Sequence, residues 1–167
     1  MNFKGWDTGL VDAGKQSEIE AYINNMNVEL AKDDETKLQT AIDKRLFELF
    51  KKHKSGENIS DALDELVVEI LPIVNERDKS WEMGAQNFLK GCILALFLNT
   101  AIKMPTITKV KKISGIGNFD ENRVTMLREY FKAQPEECRI LVDSVVTNSE
   151  NTARNFLGAL YISLARI

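Results

Sequence analysis

Residues Asp78 to Asn99 read DKSWEMGAQNFLKGCILALFLN. Asp78 stands where a helix cap belongs, the first half is amphipathic at helical spacing, and the second half is almost wholly apolar. A helix of this kind must be covered on nearly every side, so the rest of the chain is expected to wrap around it. Trp81 fills a large volume at its entry. Gly84 and Gly91 let neighbouring helices come close, and Ala85, Leu89, Cys92 and Leu96 form one packing ridge. The spacing carries this helix to about Ile102.

Outward from this rod, apolar residues recur at three- and four-residue spacings, and little strand-like alternation is present. The expected fold is all-α, a single domain over residues 1–167 with seven to eight helices around a central buried one. Residues 1–14 look irregular, with Gly5, Gly9 and Gly14. A first helix is expected from Ser17, boxed by Glu20. A second opens with Asp33, Asp34 and Glu35, whose charge suits a helix N-terminus, and closes in Lys51-Lys52-His53-Lys54 before Ser55-Gly56. Ser60 is expected to cap a third helix, which Pro72 ends. Thr106 caps a short helix through Ile113, and Gly115 and Gly117 break the chain. Asp120 caps the next helix, with Phe119 stapled onto Val124. Pro135 opens another. Ser149 caps the last, with Ala153, Phe156, Leu157, Leu160, Tyr161 and Leu164 on its inner face.

At 167 residues the chain is long enough for a real core, and its 44% hydrophobic and 28% charged residues are those of an ordinary folded protein. The net charge of −3 argues against a whole-surface basic field for nucleic acid, though a local basic face stays open. Cys92 and Cys138 are too few for a disulfide framework and are expected to be reduced, buried thiols in a reducing compartment. The apolar run from Phe88 to Leu98 is about half the ~20 residues that cross a bilayer, and the N-terminus has no signal core. Asn58-Ile59-Ser60 is a glycosylation triplet by spelling only.

The search for chemistry finds no metal, cofactor or catalytic set. His53, the one histidine, sits among lysines and is expected to be a solvated surface residue. Zinc and di-iron sites need several converging ligands. Glu65 and Glu69 lie one helical turn apart without an acid–base partner. Gly115-Ile116-Gly117 lacks the rest of a phosphate loop, and no nucleophile elbow occurs. Two charge features remain. Lys103, Lys109, Lys111 and Lys112 cluster with no acid between them, which makes Lys109, Lys111 and Lys112 the candidate contacts to nucleic-acid phosphates. Asp33, Asp34 and Glu35 are the candidate contacts to a protein partner.

The stretch Asp78-Lys79-Ser80-Trp81-Glu82-Met83-Gly84-Ala85-Gln86-Asn87-Phe88-Leu89-Lys90-Gly91 resembles a helix of the type IV secretion coupling proteins. These are the hexameric DNA-pump ATPases of conjugation and effector export. The preceding Asp61-Ala62-Leu63-Asp64-Glu65-Leu66-Val67 fits the same family. So does the final helix, Asn151 to Leu160, which is similar to the one closing the family's all-α domain before the chain re-enters its motor. The match covers about residues 60–100 and 145–167; residues 1–59 match weakly. The resemblance implies a cargo-recognition domain facing the cytoplasm and binding the relaxase–DNA complex, accessory proteins or effector proteins. It implies no reaction at this domain and no cofactor, because the ATP motifs belong to the motor. A last helix that reaches Ile167 without a stop residue fits a monomeric piece of a longer, membrane-anchored hexamer. A stand-alone plasmid or phage accessory protein and a helical-bundle enzyme with a small-molecule pocket are the alternatives.

Overall fold

The computed structural model describes residues 13–32, 41–73, 79–118, 120 and 122–167. Among them are eight helices and no strand: α1 (Ala13–Ala31), α2 (Ala41–Lys54), α3 (Ser60–Ile70), α4 (Lys79–Leu98), α5 (Ile107–Ser114), α6 (Arg123–Lys132), α7 (Glu136–Val146) and α8 (Glu150–Ala165).

The chain is all-α, and α4 is its axis. Phe88, Leu89, Cys92, Ile93, Ala95, Leu96 and Phe97 are all fully buried. This helix touches α3, α5, α7 and α8, and it packs most extensively on α7. Small residues set that contact. A methyl group at Gly91 would lie 2.5 Å from Val142 Cγ1 and 3.3 Å from the Cys138 carbonyl oxygen. One at Gly84 would lie 3.0 Å from Phe156 Cε1, on α8. Aromatic edges fasten the other sides: Phe97 meets Phe50 of α2 at 5.6 Å between ring centroids, and Phe88 meets Phe131 of α6 at 6.1 Å. Lys90, midway along the rod, reaches Asp64 of α3 at 2.8 Å.

Several ends follow local chemistry. Thr106 accepts from the Lys109 amide and Ser149 from the Thr152 amide, so α5 and α8 start where their caps stand. The end of α2 is a Schellman turn: Glu57 N donates to Lys52 O, Gly56 N donates to His53 O, and Gly56 takes φ +85°. At Gly117, φ is +69° and its amide donates to the Tyr22 hydroxyl, pinning that turn against α1.

Other ends differ from the sequence expectation. Helix α1 starts at Ala13 and includes Gly14, so Ser17 is interior and Glu20 meets Gln16 one turn back instead of a cap. Ser60 is the first residue of α3, and its amide donates to Asn58 Oδ1; the asparagine supplies the polar group at that start. Helix α4 stops at Leu98, where Asn99 turns the chain by accepting from Ala101 N. Asp120 accepts from Asn122 N, and α6 begins at Arg123. Pro135 precedes α7 as its cap residue. Tyr161 is 50% exposed and lies off the inner face of α8. His53 is half-buried with its ring 5.9 Å from that of Phe97, so it belongs to the edge of the core rather than to solvent. The Asp78 cap, the Phe119 staple, the acidic start at Asp33, Asp34 and Glu35, and the Trp81 side chain lie outside the described residues.

Gly91→Ala is expected to destabilise the fold by about 1–3 kcal/mol, because the added carbon overpacks the α4–α7 contact. Gly158→Ala meets nothing within 4 Å. It is expected to be neutral or stabilising by up to about 1 kcal/mol through helix propensity. Urea unfolding of both variants checks the contrast; equal midpoints would mean that α4 and α7 do not approach this closely.

Candidate recognition surface

The sequence points to lysines around α5 as a positive face. The structure directs them inward or along the surface to partners in the same chain. Lys109 is 4% exposed, and its Nζ donates to the Lys32 carbonyl just past the end of α1, at 3.2 Å. Lys111 Nζ donates to the Ile167 carbonyl at the end of α8, at 2.9 Å. Lys112 Nζ lies 3.7 Å from Glu29 Oε2 on α1. The Glu29 carboxyl is held below its usual range by Lys32, hydrogen-bonded at 2.7 Å, and by Lys112. Three neighbouring lysines thus join α5 to α1 and α8. They do not form one open phosphate-binding face.

Two of these contacts belong to a wider arrangement. The last carbonyls of a helix have no intrahelical donor and carry the negative end of its dipole, so a helix that ends inside a fold needs a donor from elsewhere. Gln86 Nε2, on α4, donates to Leu71 O at the end of α3, at 2.7 Å. Arg123 Nη2 donates to Ser114 O at the end of α5, at 3.1 Å. Arg128 donates from Nε to Val146 O and from Nη2 to Asn148 O, closing α7. At the opposite polarity, buried Asp43 of α2 accepts from Ile107 N and caps the start of α5 at 2.8 Å. No residue-level signal marks these roles, because each donor lies far along the chain from the carbonyl that it meets.

The acidic candidates Asp33, Asp34 and Glu35 lie outside the described residues. Among those described, no three histidine, cysteine, aspartate or glutamate side chains gather as a metal site would require. Glu69 forms a close ion pair with Arg45, and Glu65 is exposed on α3. A cleft of about 420 Å³ opens between the end of α3, the start of α4 and the end of α8. Ile70, Leu71, Ala85 and Leu160 line it, with Glu69 and Arg166. Its size is that of a small-ligand pocket, but Ile42 and Pro72 border it beside segments outside the described residues. No helix of the described residues is long and apolar enough to cross a membrane.

Both thiols are free and buried. Burial pushes the Cys138 thiol from its ordinary 9.0 up to about 12, helped by Glu137. Cys92 is raised well above its ordinary value by burial and then by Cys138, and Tyr130 is raised by burial and then by the two thiols. These are groups of a dry core without nucleophilic character.

Three outcomes follow from this geometry. Asp43→Ala removes an acceptor at the start of α5 and is expected to cost about 1–2 kcal/mol in urea unfolding; an unchanged midpoint would mean that the cap carries no stability. A thiol raised in the folded state favours folding below its unfolded value, and that contribution is lost as pH rises through the folded one. Urea midpoints are therefore expected to hold below pH 9.0 and to fall from there toward about 12. An aromatic disulfide reagent should label neither thiol in the native protein and both in urea. Rapid native labelling would place the thiols in contact with water.

Comparison with protein-family models, with curated proteins and with solved structures found no match to this chain.

Proposed function

We propose that the chain is a recognition domain without a reaction of its own, of the kind found in type IV secretion coupling proteins. One observation supports this above others. Two of the three stretches that carry the resemblance, Asp78–Gly91 and Asn151–Leu160, are far apart in sequence yet meet in the core, where Gly84 of α4 accepts the Phe156 ring of α8. Residues shared with a family for structural reasons are expected to sit together in this way, as the frame of one domain.

In this reading α4 is the scaffold and touches no cargo. Contact with a relaxase–DNA complex, accessory proteins or effector proteins falls to exposed helix faces. ATP hydrolysis, membrane anchoring and hexamer formation belong to other parts of the parent protein, on whose cytosolic side this domain acts as a monomeric unit.

The gene on either side tests the proposal directly. The expected result is an uninterrupted frame with a phosphate-binding loop upstream and, downstream, an apolar strand ending in aspartate. A stop codon directly after Ile167, with no ATP motor in the frame, would overturn it in favour of a stand-alone accessory protein.

A further inference from the structure

Helix α1 is fastened to the rest of the chain as much by polar contacts as by burial. Among its described side chains Ile19 and Leu30 are buried, while Tyr22, Ile23 and Met26 are half-buried against the core and Val28 stands out in solvent. It packs mainly on α5 and α6. Three polar contacts spaced along it complete the attachment. Gly117 N donates to the Tyr22 hydroxyl at 3.1 Å, Lys112 Nζ lies 3.7 Å from Glu29 Oε2, and Lys109 Nζ donates to Lys32 O just past the helix end at 3.2 Å. By contrast Phe88, Leu89, Ile93 and Leu96 of α4 and Val142 and Val146 of α7 are closed off from water.

We infer that α1 is a releasable strap: it undocks and unfolds as one unit while the body around α4 stays folded, uncovering the side of α5 and α6 that it crosses. The helix has little stability of its own. Gly14 lies in its first turn, Asn24, Asn25 and Asn27 lie in its interior, and Ile19, Tyr22, Ile23 and Val28 are β-branched or aromatic. A helix of 19 residues with that composition is marginal in water, so it is helical only while docked. Ordering those residues is offset by little apolar burial, and the polar contacts are exchanged for bonds to water at modest net cost. The Lys112–Glu29 pair is exposed and adds little, so the polar hold lies chiefly at Tyr22 in the middle and at Lys109 beyond the end. Undocking leaves the contacts between α4 and α7 formed, since α1 takes no part in them. Elements that must open are drawn from such weakly held units.

This strap goes beyond the recognition reading and does not depend on it. Native-state hydrogen exchange of the intact chain tests it, read by mass spectrometry of peptides from α1, α4 and α7 at low urea concentrations. The α1 amides are expected to open together, at least ~100-fold more often than those of α4 and α7 and with a weaker urea dependence. Two variants separate release of the strap from global unfolding. Gly91→Ala weakens a contact that stays formed when α1 undocks, so it is expected to speed exchange in α4 and α7 by about 5- to 100-fold while α1 stays within about 2-fold. If Gly91→Ala does not fold, Ile93→Val, a milder change in the same core, should show the same split at about 3- to 10-fold. Tyr22→Phe and Lys109→Met each remove one polar hold and are expected to speed α1 by about 3- to 10-fold. The inference is overturned if α1 and α4 exchange at one rate with one urea dependence, or if the core variant speeds α1 as much as α4. It is also overturned if neither Tyr22→Phe nor Lys109→Met speeds α1, or if the α1 amides exchange as fast as those of an unfolded peptide, which would mean that the helix is not docked at all.

Discussion

The approach of α7 to α4 at Gly91 is the constraint on which the remaining architecture depends. With hydrogen as the side chain, the Val142 methyl and the Cys138 carbonyl come within a distance that any larger residue would obstruct. This contact covers one side of a helix whose other sides are closed by α3, α5, α6, α8 and the Phe50 edge of α2. The dry centre that results holds Cys92, Cys138 and Tyr130, and its dryness is what raises the affinity of those groups for their protons. A rod enclosed in this way leaves no room for a ligand along its length.

Packing seven helices together with α4 brings many helix ends into the protein, and each end exposes carbonyls that water reaches poorly. The chain meets this with long side chains from neighbouring helices: Lys109 on α1, Gln86 on α3, Arg123 on α5, Arg128 on α7 and Lys111 on α8. A cation is favourable there twice over, as a donor and as a charge facing the negative end of a dipole. The arrangement turns the positive charge of α5 and α6 inward and stitches distant segments together.

Much of the fold is legible in the residues. The enclosed helix follows from its apolar run, and the starts of α5 and α8 follow from Thr106 and Ser149, whose hydroxyls reach amides three residues on. The stop of α2 follows from a glycine after a basic turn. These are local signals, in which cause and effect lie within one helical turn. The misplacements are also informative. Ser17 and Ser60 are good cap residues, yet α1 already runs through the first and Asn58 serves the second. Tyr161 falls at a helical spacing consistent with the core, but the inner face of α8 is narrower than its apolar stripe. His53 stands in a lysine cluster along the chain and beside Phe97 in space.

The sequence by itself determined the class of the fold, the identity of its central helix and most of the buried stripes, because hydrophobic periodicity is a property of neighbouring residues on one helix. Only the tertiary structure decided which charges remain free. Whether a lysine faces solvent or a helix end depends on which helix stops beside it, and that partner can lie 77 positions away, as it does for Lys109 and the Lys32 carbonyl. Lys109, Lys111 and Lys112, an apparent basic face along the chain, therefore fasten α5 to α1 and α8. Lys51, Lys52 and Lys54 of α2, readable along the chain as a helix stop, are among the cations left at the surface.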